Sequence, residues 1–216
     1  MKIYKFRPLA NDTDYDRARD ILETGCFWCS TFSELNDPME GVFLTTTPSN
    51  DIPNIYGEKC KFRICSFADS TAFKKPIIWG YYANGFRGLA IQVEVRGGEV
   101  HRVQYCDQLQ SMVLSGGTSS IRQILLTKLS PWKHEGEFRF LTESDGNRHR
   151  IGNITAVYFG CPYQDVENHR TIYANSPTLK GYRAFIEQLK AATHSNAGIT
   201  WFPVEVDGRQ VRVSPT

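Results

Sequence analysis

Two carboxylates, Glu135 and Glu137, lie two residues apart and lead directly into a predicted strand. Alternation along that strand directs Phe138 and Phe140 inward. It places Glu137 and Arg139 together on the opposite face. Taken alone, this segment is typical of a solvated sheet face with a weak Glu137–Arg139 ion pair. The two carboxylates are also the most informative candidate for chemistry in the chain.

Cysteine spacing is the second pattern that could serve a reaction or a metal. Four cysteines in the pattern Cys-x2-Cys and Cys-x4-Cys could hold a zinc ion through their thiolates: Cys26, Cys29, Cys60 and Cys65. The first two lie in a predicted extended run, where residues three apart face opposite sides, and Cys65 lies inside a predicted strand. We therefore expect small buried thiols and no metal site.

Other catalytic templates find no match. The five histidines show no metal-binding spacing, and no signature of a serine or cysteine nucleophile occurs. The segment Gly116–Ser120 precedes a predicted helix and could hold a phosphate on its backbone N–H groups. It lacks the Gly-Lys-Ser/Thr core of a phosphate-binding loop, so a plain helix cap is the better interpretation.

Composition restricts the class of protein. The chain has 216 residues, a net charge of +2 and 41% hydrophobic residues, which indicates one globular domain over residues 1–216. No apolar run approaches the length of a membrane-spanning helix, and the first residues do not resemble an export signal. We expect a cytoplasmic protein that does not bind membranes, with its six cysteines reduced.

Periodicity predicts an α+β fold with a mixed, partly antiparallel sheet and flanking helices. The predicted strands are Lys2–Arg7, Lys61–Phe67, Gly88–Val95, Glu99–Tyr105, Gly136–Thr142, Thr155–Gly160, Thr200–Val206 and Gln210–Val213. The predicted helices are Asp14–Thr24, ended by Gly25, one from Pro76 through Tyr82, and Leu179–Ala192. A further helix begins at Thr118 or Ser119 and carries Ile121, Ile124, Leu125 and Leu129 on one face. The polar stretch Thr45–Gly57 is predicted to be a surface loop.

Several segments resemble the ADP-ribosyltransferase plan in their order and spacing. They are Tyr4–Arg7, Ile21–Gly25, Phe67–Ser70, Trp79–Ala83, Gly88–Ile91 and Glu135–Glu137. The chain resembles the bacterial DUF2971 family more closely, over roughly residues 1–165. That match is carried by Phe32–Glu40, Ile64–Phe67, Trp79–Gly88 and Trp132–Arg139. Residues 166–216, a helix and a hairpin, rest on pattern alone and complete the domain.

The resemblance implies roles for individual residues, with NAD as the substrate. Glu137 would be the catalytic carboxylate that stabilises the ribosyl cation as nicotinamide leaves, and Glu135 would position or deprotonate the acceptor. Arg7 would grip the nicotinamide ribose or a phosphate, and Ser66 would orient the ribose. The NAD pocket would be lined by Tyr4, Phe67, Trp79 and Tyr82, although the last three are equally expected in the core.

The chain departs from the family plan at the second strand. It has Cys65-Ser66-Phe67 in place of Ser-Thr-Ser, so Ser30 is a rival for the position of Ser66. The residues Asn36, Asp37 and Glu40 have no counterpart in the general plan and are read equally as a capped turn or as polar groups near the substrate. Further candidates on the same match are Arg87 and Arg139.

The acceptor is expected to be a macromolecule, a nucleic acid or a protein. Basic residues cluster in two segments that could follow a phosphate backbone: Lys59, Lys61, Arg63, Lys74 and Lys75, then Arg148–Arg150. A solvated basic face explains them as well. Such a transferase would suit a toxin or a phage-defence effector. Two alternatives remain: an NAD glycohydrolase on the same scaffold, and a non-catalytic module that binds a nucleotide or a peptide.

Overall fold

The structure is a computed structural model. It describes residues 1–35, 41–45, 52–109, 111–112, 118–162, 176–193, 198–207 and 210–214. Within these ranges fourteen strands and six α-helices form, with short 3-10 helices at Phe32–Glu34 and Ser130–Glu135. The strands are β1 Lys2–Pro8, β2 Phe27–Trp28, β3 Leu44–Thr45, β4 Arg63–Ala68, β5 Gly88–Glu94, β6 Val100–Arg102, β7 Gln104–Cys106, β8 Ser111–Met112, β9 Thr127–Leu129, β10 Glu137–Thr142, β11 Arg148–His149, β12 Asn153–Gly160, β13 Thr200–Asp207 and β14 Gln210–Val213. The helices are α1 Asp12–Thr24, α2 Ile52–Cys60, α3 Ser70–Phe73, α4 Pro76–Tyr82, α5 Thr118–Leu125 and α6 Pro177–Ala192.

The chain divides into two compact units. Unit 1 comprises Met1–Cys26, Phe67–Arg96 and Arg150–Thr216, and unit 2 comprises Phe27–Ser66 and Gly97–His149. Strand β4 begins in unit 2 and its last two residues belong to unit 1. The prediction of a single domain stays a prediction.

A mixed sheet forms the centre of unit 1. Its described strands follow the order β14-β13-β12-β5-β1-β4. Strand β1 is antiparallel to β5 and β4, whereas β12 is parallel to β13. Strand β5 is buried at six of its seven positions, as expected for a strand covered on both faces. The predicted α+β class with a mixed, partly antiparallel sheet is confirmed.

Helix α1 ends at Gly25, as its sequence predicts, but it begins at Asp12, two residues before the predicted start at Asp14. The side chain of Asn11 accepts the backbone N–H of Asp14, and Gly25 ends the helix in the left-handed conformation at φ 70°. Its buried face carries Ala18, Ile21 and Leu22.

Unit 2 is built from short strand pairs and two helices. Strand β10 lies between β4 and β6 and is antiparallel to β6. Strands β7 and β9 form a parallel pair in which Tyr105 is opposite Lys128. Helices α2 and α5 pack over a cluster that includes Ile55, Ile124 and Leu141.

Two predicted boundaries in unit 2 are wrong. The expected loop Thr45–Gly57 contains the start of α2, because Ile55 finds a buried place that outweighs the turn-forming residues around it. Helix α5 ends at Leu125, and Thr127–Leu129 forms strand β9. Pairing with β7 gives this segment a strand that its apolar spacing did not indicate.

None of the described helices combines the length and apolar character needed to cross a membrane.

Candidate active site

Glu137 and Arg139 lie near the start of β10 and point to the same side of the strand. Arg139 Nε donates to Glu137 Oε1 at 2.8 Å, and Arg139 Nη2 donates to Glu137 Oε2 at 3.0 Å. Arg139 is fully buried and Glu137 is 5% exposed. The expectation of a solvated face is therefore wrong. The end of α5 covers this side of the strand, where Leu125 supplies a backbone carbonyl to Arg139 Nη1.

A second cation, Lys128, connects the two carboxylates of the site. Its Nζ donates to Glu135 Oε2 at 2.7 Å and to Glu137 Oε2 at 3.3 Å. The ammonium also lies over the ring of Trp132, 4.7 Å from its centroid. Two carboxylates and two cations thus form one buried cluster, called here the four-charge cluster: Lys128, Glu135, Glu137 and Arg139.

The backbone between the two carboxylates explains how both reach one ammonium. Glu135 is the last residue of a 3-10 helix, and Gly136 follows in the left-handed conformation at φ 50°. Glu137 then begins β10. Glycine adopts the left-handed conformation easily because it has no Cβ. Gly136 therefore allows the abrupt change from 3-10 helix to strand.

Ser66 and Tyr105 complete the surroundings of Glu137. Ser66, in β4, makes a side-chain hydrogen bond with the Glu137 carboxylate. The backbone N–H of Glu137 donates to the Tyr105 hydroxyl at 2.9 Å. Burial would raise the pKa of Glu137, but Arg139, Lys128 and the Ser66 hydrogen bond outweigh it and lower the pKa to about 2. Glu137 is therefore an anion at any physiological pH.

Tyr105 behaves as a neutral hydroxyl in this site. Burial, reinforced by the nearby carboxylates Glu137 and Glu135, raises its pKa to about 12. Tyr105 also forms part of the wall of an open cavity of about 550 Å³, together with Cys106, Asp107, Gln108 and Leu109. Tyr105 therefore contributes both to the cavity wall and to the surroundings of Glu137.

Three aromatic candidates of the predicted NAD pocket lie in unit 1. Tyr4 stacks on Phe73 with ring centroids 4.5 Å apart, and its hydroxyl donates to Gln92. Trp79 is fully buried, and its Nε1 donates to the Phe73 carbonyl at 2.9 Å. Phe67 is 3% exposed. Trp79 thus occupies the core of unit 1, which was the alternative reading of its sequence position.

The other candidates in unit 1 are less buried. Arg7 lies in β1 opposite Leu89 and is half-buried. Tyr82 packs at the edge of the core cluster. Arg87 Nε donates to the carbonyl of Asn84 at 3.2 Å. The roles in NAD binding that the resemblance gives to these side chains stay predictions.

The remaining candidates include residues near Glu137 and residues that the structure does not describe. Asn36, Asp37 and Glu40 lie outside the described residues, and so does part of Gly116–Ser120. Ser30 forms a backbone bridge with Ile64, whereas Ser66 is the serine that reaches Glu137. The structure therefore brings together Ser66, Glu135, Glu137 and Arg139 in unit 2.

Lys128, Tyr105 and Trp132 were not proposed as site residues from the sequence. The segment containing Lys128 was interpreted as the end of a helix with Leu129 on its apolar face. As a strand, the same segment turns Lys128 inward, where it is 8% exposed. The sequence feature that could have identified these residues is the pair Lys128 and Trp132, which lies shortly before Glu135.

Lys59, one of the basic residues expected to follow a phosphate backbone, is buried, and no metal-binding group forms in the described part of the chain. Lys59 is 7% exposed, donates to the Gly41 carbonyl and lies 4.3 Å from the centroid of Phe32, so it does not contribute to a surface patch. Of the described residues, no three histidine, cysteine, aspartate or glutamate side chains lie close enough to hold a metal ion.

Comparison with known proteins adds no relative. No family model, no curated protein and no solved structure matches this chain.

Proposed function

We propose that this protein is an ADP-ribosyltransferase-like enzyme of the DUF2971 type, which cleaves NAD and transfers ADP-ribose to a macromolecule. The hydrogen bond between Ser66 and Glu137 carries the proposal. These residues are distant in sequence, and the resemblance gives both of them to the ribose-binding part of the site. Their contact is what such a site requires.

The charge of Glu137 suits the proposed reaction. As the bond between nicotinamide and ribose breaks, positive charge develops on C1 of the ribose, and nicotinamide departs with the bonding electrons. A carboxylate with a pKa of about 2 remains ionised and can stabilise that charge. The acceptor then forms a bond to C1 and loses a proton, which Glu135 takes in this proposal.

Glu137 must exchange one of its present partners to bind a ribose hydroxyl. A carboxylate accepts about four hydrogen bonds, and Arg139, Lys128 and Ser66 together supply four donors. The contact with Lys128 Nζ, at 3.3 Å, is the longest of the three that have measured distances. Since Lys128 is also bound at 2.7 Å to Glu135, it can release Glu137 without losing its ion pair.

A second candidate function is a non-catalytic binding module. The observation that favours it is the two-fold contact of Arg139 with Glu137, which is typical of a buried structural ion pair. In that case a nucleotide or peptide would bind elsewhere on the chain. Glu137 would then contribute to stability alone.

The deciding experiment measures NAD turnover by the purified chain. NAD labelled in its adenylate half is incubated with the protein alone and with nucleic acid or protein fractions, and released nicotinamide and labelled macromolecule are counted. Glu137→Gln should lower both by orders of magnitude, because the neutral amide cannot stabilise the cation. The matched control Glu187→Gln changes an exposed carboxylate in α6 and should be as active as wild type.

A second variant distinguishes loss of activity from loss of folding. Glu137→Gln disturbs a buried ion pair, whereas Ser66→Ala removes one hydrogen bond and keeps all four charges. We expect Ser66→Ala to melt near the wild-type temperature and to lose at least about tenfold in turnover. Release of nicotinamide without label would indicate the glycohydrolase. No turnover, together with no shift of the melting temperature by NAD, would contradict the proposal and favour the binding module.

A further inference from the structure

Lys128 is a buried cation in contact with two carboxylates. It lies in the middle of β9, opposite Tyr105 of β7, and its side chain is 7% exposed. Taking an ammonium out of water is costly unless carboxylates and hydrogen bonds compensate for the lost hydration. Both carboxylates of the site provide this compensation, at 2.7 Å and 3.3 Å.

The two cations of the cluster share Glu137 but differ in their other contacts. Arg139 contacts Glu137 through two nitrogens and is also bound to the carbonyl of Leu125. Lys128 makes its shorter contact with Glu135. Glu137 therefore keeps its orientation through Arg139, while Glu135 is oriented by Lys128.

We propose that Lys128 is a positioning residue that holds Glu135 for the acceptor step, so that its removal separates transfer from NAD cleavage. This inference rests on the proposed function. Trp132 supports it, because the indole face lies 4.7 Å from Nζ and limits where the ammonium can move. Without Lys128, the Glu135 carboxylate loses its ion pair at 2.7 Å and is repelled by the Glu137 carboxylate that shared the ammonium, so it reorients.

In the described part of the chain, three strands supply charged or titratable groups that contact Glu135 or Glu137. Lys128 lies on β9, Tyr105 on β7 and Arg139 on β10. Tyr105 remains neutral in the working range because its pKa is raised to about 12 by burial. Because Lys128 makes its shorter contact with Glu135, while Arg139 holds Glu137 through two hydrogen bonds, we expect the loss of Lys128 to affect Glu135 more than Glu137.

The test compares three variants of the full chain: Lys128→Met, Lys128→Arg and the control Lys190→Met. Lys190 is paired with Glu187 on α6, in the other unit. We expect Lys128→Met to lower label on the macromolecule at least tenfold more than it lowers nicotinamide release. Lys128→Arg restores the charge and should recover most of the transfer. A structural role alone would lower release and transfer together and would leave their ratio unchanged.

A measurement without NAD keeps this inference separate from the proposed function. In the protein labelled with ¹³C at glutamate carboxyls, the Glu135 and Glu137 signals are compared in wild type and Lys128→Met at neutral pH. We expect the Glu135 signal to move more than the Glu137 signal, because Lys128 makes its shorter contact with Glu135. An unmoved Glu135 signal would overturn the inference even if NAD is cleaved. If wild type cleaves no NAD, a moved Glu135 signal would establish the contact between Lys128 and Glu135 and overturn its part in transfer.

Discussion

Arg139 and Glu137, two residues apart on one strand, form a buried ion pair with two hydrogen bonds of 2.8 Å and 3.0 Å. The carbonyl of Leu125, at the end of α5, accepts a further hydrogen bond from the same guanidinium. The Glu137–Arg139 pair therefore belongs to the candidate site and also contributes to the stability of unit 2.

Acid should weaken the fold through Glu137. Its pKa in the folded protein is about 2, below the ordinary value of 4.5, so its contribution is complete above 4.5 and is lost as the pH falls toward 2. The difference corresponds to about 3 kcal/mol. Urea unfolding of wild type and Glu137→Gln from pH 7 to pH 2 should show two stabilities that converge on acidification. A constant difference across that range would contradict the low pKa.

Removing one charge of the Glu137–Arg139 pair should destabilise the protein more than removing both charges. We expect Arg139→Met to cost about 3–5 kcal/mol, because it leaves Glu137 buried with Lys128 as its remaining charged partner, which Glu135 also shares. The double variant Glu137→Met with Arg139→Met retains the balanced Lys128–Glu135 pair and should be more stable than Arg139→Met alone. Equilibrium unfolding of the wild type, both single variants and the double variant measures this coupling. Strict additivity would show that the pair is not energetically linked.

Trp79→Phe should affect stability and leave ligand binding unchanged. The substitution leaves the buried Phe73 carbonyl without the indole N–H and removes part of a fully buried ring, at a cost of about 1–3 kcal/mol. Because Trp79 lies in the core of unit 1, the thermal shift caused by NAD should be the same as in wild type. Loss of the NAD shift with unchanged stability would instead return Trp79 to the ligand pocket.

Two glycine-to-alanine substitutions should have opposite signs. Gly25 ends α1 at φ 70°, and a Cβ there would meet the Arg150 guanidinium at 3.3 Å, so Gly25→Ala should destabilise by about 1–2 kcal/mol. Gly181 lies within α6 with open space around its Cα, so Gly181→Ala should stabilise by about 0.5–1 kcal/mol. Thermal unfolding of both variants checks the contrast. A stabilising Gly25→Ala would contradict the left-handed helix end.

Local pattern determined much of the secondary structure. The end of α1 at Gly25 and the alternating strand Gly88–Glu94 follow from residues close in sequence, so capping and periodicity were sufficient to predict them. The cap at Asn11 is equally local, but the start of the helix was predicted two residues too late, at Asp14. The importance of the Glu135–Glu137 stretch was also visible in the sequence. These features depend on interactions within one element or one turn.

Tertiary structure alone decided how that stretch is used. Lys128 became a partner of Glu135 because pairing with β7 made Thr127–Leu129 a strand, and no local signal specified that pairing. Arg139 became buried because α5 covers its side of β10. Hydrophobic spacing reports which residues prefer to leave water, but the partners of a buried charge come from distant segments and are fixed only when the chain packs.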